Sequence, residues 1–342
     1  MYTYSLRKHV LKFINPAKTS RNVFTERAIY LITLVDVSAG KQGVGEAAPL
    51  SLLSIDDVSD YEAILHNKLQ EFCEARKLED VDLAIFPSVR FGIETALRSL
   101  TADDQGRMYD TPFTRGEEQI PVNGLVWMND AETMYQEAIA KINAGFNVIK
   151  FKVGALDFDD ECRLLEKIRR DYSAFRITLR VDANGAFKPD EAMEQLCELS
   201  KFELHSIEQP IATNQWDDMA RLCAESPIDI ALDEELIGVN VYNQGAKLLD
   251  YIKPHYLILK PNLIGGVSIA DKWITQARKV DVDWWATSAL ESNVGLNAIA
   301  QWVSTYDTTL HQGLGTGGLF TNNLDTRLLL QKGVMSYAEP SK

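Results

Sequence analysis

Asn147-Val148-Ile149-Lys150-Phe151-Lys152-Val153 is a short apolar run interrupted by two lysines at alternate positions. On a strand, a side-chain period of two puts both ammonium groups on one face, with their Cα atoms roughly 7 Å apart. Working outward from Lys152, a polar residue closes a similar apolar run at Asp182, Glu208, Asp233, Lys260 and Ser288, at intervals of 30, 26, 25, 27 and 28 residues. Asn123 extends the series backwards and Leu314 extends it forwards, which gives eight rungs. Each interval holds one strand, one helix and two short loops, and eight such units close a (β/α)8 barrel of roughly 250 residues or fewer. The polar ends then converge on the rim where barrels of this kind carry their chemistry.

Residues before about 115 lack the ladder. Alternating segments at 10–13 and 28–37 read as antiparallel strands, the glycine-rich stretch 43–50 ends their sheet, and amphipathic patterns at 57–75 and 88–100 read as helices. A polar, turn-rich linker at 108–119 leads to the barrel, whose strands are expected at 120–126, 147–153, 177–181, 204–207, 229–232, 256–259 and 284–287. Helices fill the gaps, and the last strand has the weakest pattern. The residues after about 322 are expected to return to the first unit.

The 342 residues suffice for one barrel and a smaller domain, and 46% hydrophobic content suits a soluble enzyme. A net charge of −14 with no basic block disfavours nucleic acid and anionic membranes. No apolar run approaches a bilayer span, and the start has no long apolar signal region. Cys73, Cys162, Cys197 and Cys223 form no C-x-x-C pair and read as reduced thiols, so a cytoplasmic setting is expected.

The ladder also carries the chemistry. A free lysine, pKa about 10.4, is protonated at neutral pH and cannot serve as a base unaided. A second cation 7 Å away, in an effective dielectric near 20, contributes about 2.4 kcal/mol of repulsion, nearly two pKa units. Asp182, Glu208 and Asp233 on three successive strand ends offer hard oxygen ligands to a cation such as Mg2+, with Mn2+ as an alternative. Taken singly, each has a plain alternative as a turn, loop or helix-cap residue, and the lysine pair could be a solvated strand end. In register, the set favours the metal. Lys260 faces it from the far side, so a bound carboxylate would sit between two lysines, and proton abstraction beside that carboxylate is the expected reaction class. None of the five histidines occupies a rung. Gly313-Leu314-Gly315-Thr316-Gly317-Gly318 satisfies G-x-G-x-x-G, but too little chain follows it for a dinucleotide fold. It reads either as a flexible loop or as a cradle of amides for a substrate carboxylate.

With K-x-K at Lys150 to Lys152, D-x-N at Asp182 to Asn184, E-Q-P at Glu208 to Pro210, D-E at Asp233-Glu234 and K-P at Lys260-Pro261, the chain resembles the enolase superfamily over nearly its whole length. The pattern looks like the muconate-lactonising subgroup. The resemblance implies an α/β fold: a modified (β/α)7β TIM-like barrel at 116–321 under an α+β capping domain at 1–115, completed by 322–342. It further implies that Lys152 and Lys260 are the catalytic lysines, that Lys150 tunes Lys152, and that the three acids hold the metal.

Within the subgroup, Thr287 to Ser292 and Gly313 to Phe320 look most like the o-succinylbenzoate synthases. That likeness implies a small-molecule carboxylate substrate. Lys152 would remove the proton α to a ring carboxylate and return it to a departing hydroxyl on the same face, while Lys260 stays protonated beside the enediolate. Aromatisation drives the step, so little contact with the succinyl tail is needed. The expected substrate contacts are Lys150, Asn184, Ser288, Gly315, Thr316, Ser20 and Arg21, with the loops at 18–21 and 48–51 either closing over the substrate or forming ordinary turns. A homo-oligomer is compatible with all of this. Dipeptide epimerases of the subgroup carry Asp-x-Asp where this chain has Gly313-Leu314-Gly315-Thr316, which disfavours that activity; N-succinylamino-acid racemase and muconate cycloisomerase remain as alternatives, and a non-enzymatic scaffold would be expected to have lost a rung.

Overall fold

A strand that is apolar on both faces organises the first unit. In the computed structural model, which describes residues 1–18, 23–103, 106–307 and 309–338, β1 (Tyr2–Lys18), β2 (Val23–Asp36) and β3 (Lys41–Ala47) form an antiparallel meander. Even-numbered residues of β2, Tyr30, Ile32 and Leu34, pack on α1 (Tyr61–Ala75) and α2 (Pro87–Leu100). Odd-numbered Ile29 and Leu31 join Leu11 and Phe13 against the barrel residues Leu263, Ala289, Leu290 and Phe320. The period-2 geometry of a strand thus places β2 between its own helices and the barrel. The strands run longer than the alternating segments at 10–13 and 28–37 suggest, because exposed polar positions in β1 still pair with β2 through the backbone.

Close approach of β3 to α2 depends on glycine. A Cβ on Gly45 would lie 2.0 Å from Gly92 O and 2.6 Å from Ala96 N. Gly45→Ala is therefore expected to destabilise the protein by about 3 kcal/mol, the upper end of what overpacking costs, read as a fall of several degrees in melting temperature. An unchanged melting temperature would mean that α2 can move aside freely.

After a short strand β4 (Ile120–Pro121), the chain alternates strand and helix. The barrel strands are β5 (Gly124–Val126), β6 (Val148–Lys152), β7 (Thr178–Asp182), β8 (Ser206–Glu208), β9 (Ile230–Leu232), β10 (Tyr256–Leu259) and β11 (Asp283–Ala286), all parallel and adjacent in chain order. The helices are α3 (Ala131–Asn143), α4 (Phe158–Asp171), α5 (Ala192–Ser200), α6 (Trp216–Glu225), α7 (Ala246–Ile252), the short α8 (Pro261–Ile264), α9 (Val267–Ala277) and α10 (Asn293–Val303). Local signals agree with these ends. Asp130 and Asp157 cap α3 and α4, and α4 carries Asp159, Asp160 and Glu161 in its first turn with Arg169 and Arg170 in its last, as the helix dipole favours.

The eighth position is only two residues long. Gln312 N donates to Pro121 O at 2.8 Å and its carbonyl accepts from Asn123 N at 3.0 Å, while Gly313 N donates to Ala286 O at 2.7 Å. These bonds join the last strand to the first. The first barrel strand is shorter than the expected 120–126, because Ile120 and Pro121 pair antiparallel with β13 (Val334–Tyr337), which itself pairs with β12 (Leu328–Gln331). Residues 319–322 do run beside β1, with Asn322 Oδ1 accepting from Lys12 N at 2.8 Å. The β12–β13 hairpin, by contrast, bonds to β4 and not to the β1–β3 sheet.

Alternation within the barrel strands separates two environments. Ile149, Phe151, Leu179, Val181, Ile207, Ile230, Leu232, Leu257 and Leu259 are buried among the helices, so Lys150, Lys152, Arg180, Asp182 and Glu208, at the alternate positions, face inward. Two acids of the first unit also cap barrel helices. Glu46 accepts from Ser292 N and Gly295 N, both at 2.9 Å, at the start of α10, and Glu94 accepts from Ser268 N at 3.0 Å at the start of α9. Amides at a helix start have no partner within the helix, so these carboxylates tie the two units together. All four cysteines are free and lie on α1, α4, α5 and α6. Among the described residues no helix is long and apolar enough to cross a membrane.

Candidate active site

The strand ends deliver the ladder residues to one mouth as an alternating chain of charges. Lys152 Nζ lies 2.6 Å from Asp182 Oδ2 and 2.8 Å from Asn184 Oδ1. Lys150 Nζ bridges Asp182 Oδ2 at 2.9 Å and Glu208 Oε2 at 2.7 Å. Lys260 Nζ contacts Asp233 Oδ2 and stands 3.9 Å from Glu208 Oε1. The six charged groups are each less than a tenth exposed, so their charges act through a medium that screens poorly. β6 and β10 are four strands apart in a ring of eight, which sets Lys152 and Lys260 opposite each other.

The two sharers of Lys150 titrate in opposite directions. Burial works against the Asp182 carboxylate, but the charges of Lys150, Lys152 and Lys260 outweigh it and hold the group well below the usual range. Glu208 is pushed up to about 8 by burial and by Asp182. The difference follows from the bonding: Asp182 accepts from two ammonium groups and from Asn184 N, whereas Glu208 Oε1 has no hydrogen-bond partner. Burial lowers Lys150 and Lys260, yet the adjoining carboxylates raise both above the ordinary lysine value.

Among the described residues, no three Asp, Glu, His or Cys side chains stand together as a ready cluster for a metal ion. An ammonium group lies between Asp182 and Glu208 and another between Glu208 and Asp233. The donor set nevertheless fits a hard divalent ion: three buried carboxylates on successive strand ends, with one Glu208 oxygen lacking a hydrogen-bond donor.

The cavity above this chain is lined by Lys150, Lys152, Lys260, Asn184, Ser288, Gly315 and Thr316, with Phe24, Leu50, Leu53, Trp127, Ala289, Leu290 and Leu319 as apolar walls. Ser20 and Arg21 lie outside the described residues. Ser288 lines this cavity, and its hydroxyl is also engaged within its own loop. Its Oγ donates to Glu291 Oε2 at 2.7 Å and accepts from Thr316 Oγ1 at 2.8 Å and Leu290 N at 3.0 Å, so both hydroxyls serve the loop.

The motifs that contain Gln209 and Glu234 gave these two residues no role in the site. Glu234 lines the cavity and accepts from Asn184 Nδ2 at 3.0 Å. Gln209 Oε1 accepts from Asp233 N and Glu235 N at 3.2 and 3.3 Å, fixing the turn that carries Asp233. Asn184 and Gln209, each one or two positions past a strand end, have positive φ of 47° and 40°, so the backbone turns sharply where the carboxylates are presented. Arg180, two residues before Asp182 and therefore on the same face, stacks 3.9 Å over Trp285 inside the barrel. The alternation that singled out Lys150 would have found it.

His205 stacks on Tyr256 with ring centroids 5.2 Å apart, close to Trp285. Burial, then the Arg180 charge, hold its imidazole down at about 4. The unfolded chain therefore binds this proton first, and stability present above about pH 6.5 is lost as pH falls towards 4, by about 2 kcal/mol after allowance for partial solvent screening. Glu46 and Glu94, raised by burial, act in the opposite sense. The test is consequently a difference: His205→Asn should lose less melting temperature than the parent between pH 7 and pH 4.5, and parallel curves would refute the assignment.

Residues 133–336 match the family described as Enolase C-terminal domain-like, and residues 5–100 match the family described as MenC, N-terminal domain. An o-succinylbenzoate synthase of Desulfotalea psychrophila is 42% identical, with 97% of this chain and 98% of that protein covered. The crystal structure of MenC from the same organism superposes with a TM-score of 0.85 at 40% identity, covering 98% of this chain and 99% of that one. L-Ala-D/L-Glu epimerase of Bacillus subtilis, solved with its substrate, has a TM-score of 0.86 at 19% identity over 98% of this chain and 96% of its own, a likeness of fold.

Proposed function

Because the chain belongs to the o-succinylbenzoate synthase family of the enolase superfamily, we infer that it removes water from 2-succinyl-6-hydroxy-2,4-cyclohexadiene-1-carboxylate to give o-succinylbenzoate. The enzyme is a hydro-lyase of menaquinone biosynthesis. For the roles of the residues, the supporting observation is that Lys152 and Lys260 line one cavity from opposite sides of the barrel, with the carboxylates between them.

Lys152 is the base. In its neutral form it takes the proton from the ring carbon that bears the carboxylate, and the C–H electron pair moves into the carboxylate as an enediolate. The lysine then returns that proton to the neighbouring hydroxyl on the same face, the C–O bond breaks, and water leaves as the ring becomes aromatic. Lys260 remains an ammonium and faces the charge that builds on the carboxylate oxygens. Asp182, Glu208 and Asp233 would hold Mg2+, which when bound supplies positive charge against the same oxygens. Asn184 orients Lys152 through the 2.8 Å bond to its Oδ1. The apolar walls exclude water and seat the ring.

The deciding experiment supplies purified protein and Mg2+ with the cyclohexadiene carboxylate and, separately, with N-succinyl amino acids and cis,cis-muconate. Aromatic product from the first is expected. Racemisation or lactone formation without aromatic product would replace this reading.

A further inference from the structure

Arg27 is buried on the barrel-facing side of β2, in the same alternating row as Ile29 and Leu31. Among the described residues it forms no ion pair. Its guanidinium donates instead to two backbone carbonyls, Nη1 to Ala289 O and Nη2 to Ala48 O. These carbonyls belong to different units. Ala48 leads into Leu50 and Leu53, which line the cavity from the first unit, and Ala289 stands among Ser288 and Leu290, which line it from the barrel.

The surroundings favour fixed spacing over simple filling. Burying a cation whose hydrogen bonds go to carbonyls is costly even with the charges of Glu291 and Glu46 nearby, and an apolar side chain would fill the same volume at less expense. A planar guanidinium, however, sets the distance and angle between two acceptors, which an apolar group cannot do. Both ends are braced. Ala48 O also accepts from Asn262 Nδ2, two residues beyond Lys260, and Ala289 N donates to Glu291 Oε2 at 2.8 Å.

We propose that Arg27 is a positioning residue that clamps Ala48 and Ala289 and so sets the gap between the two cavity walls that grip the substrate. The proposal rests on the reading that this cavity takes the cyclohexadiene carboxylate. Arg27 makes no hydrogen bond to Lys152, to Lys260 or to the strands β6 and β10 that precede them, so its loss acts on binding more than on chemistry.

The test compares the full-length parent with Arg27→Met, Arg27→Lys and Asn262→Ala, measuring kcat, KM, product affinity by calorimetry and melting temperature. In Arg27→Met, KM and the product Kd are expected to rise at least tenfold while kcat stays within threefold, with Arg27→Lys intermediate. Asn262→Ala should shift KM in the same direction by a smaller factor. A folded Arg27→Met with KM within twofold of the parent overturns the clamp, as does a fall in kcat with KM unchanged. If Arg27→Met does not fold, the other two variants decide, and unchanged KM in both overturns it. A parent without dehydratase activity would refute the functional reading instead, whereas an active parent with unaffected variants refutes the clamp alone.

Discussion

Lys152→Ala is expected to lower kcat for dehydration by roughly 10²–10⁴-fold, the range that a positioned general base contributes, and Lys260→Ala by a similar factor. The reasons differ. Without Lys152 the other amine of β6 in the cavity cannot replace it: Lys150 is bridged to both Asp182 and Glu208 and held above the ordinary lysine value. Without Lys260 the developing carboxylate charge loses its ammonium, although proton removal by Lys152 remains feasible. The two variants should therefore diverge in exchange of the substrate's α-proton with D2O, which Lys152→Ala abolishes. Calorimetric titration with Mg2+ should show binding in both. Turnover at the parent rate in Lys152→Ala would dismiss it as the base.

Glu208→Gln should weaken Mg2+ binding at least about 100-fold, since even the partners behind a metal ligand are worth 10–100-fold. Glu208 is the middle carboxylate of the chain of charges, sharing Lys150 with Asp182 and approaching Lys260 beside Asp233. The melting temperature of the metal-free variant should hardly move, because burial already pushes this carboxyl up to about 8 and an amide resembles its protonated form. A large loss of metal affinity with little loss of stability separates a ligand from a mere structural acid. Unaltered Mg2+ affinity would take Glu208 out of the ligand set.

Periodicity explains what could be read beforehand. Lys152, Asp182, Glu208, Asp233 and Lys260 each end an apolar run, and strand geometry turns equal spacing along the chain into neighbouring positions at one mouth. Arg180 was equally legible by that rule. Ser288 shared the spacing and lines the same cavity, with its hydroxyl engaged by Glu291 and Thr316. Ile120 and Pro121 read as barrel because they are apolar and abut Asn123, but they pair with a hairpin over two hundred residues away. Arg27 could not have been singled out, since its partners are main-chain carbonyls that leave no mark in side-chain sequence. The two-residue strand at Gln312 and Gly313 is below the length at which a pattern exists.

The carboxylates of Glu46 and Glu94 at the heads of α10 and α9 bear on recombination. A chimaera that joins the barrel to a foreign N-terminal module inherits two helices whose opening amides await acids from elsewhere. Unless the donor module offers a glutamate at both places, the hybrid should express poorly, however well the seam itself is chosen. The productive crossover unit is therefore the module together with these two contacts, and a library that keeps both should yield more soluble members than one cut by length alone.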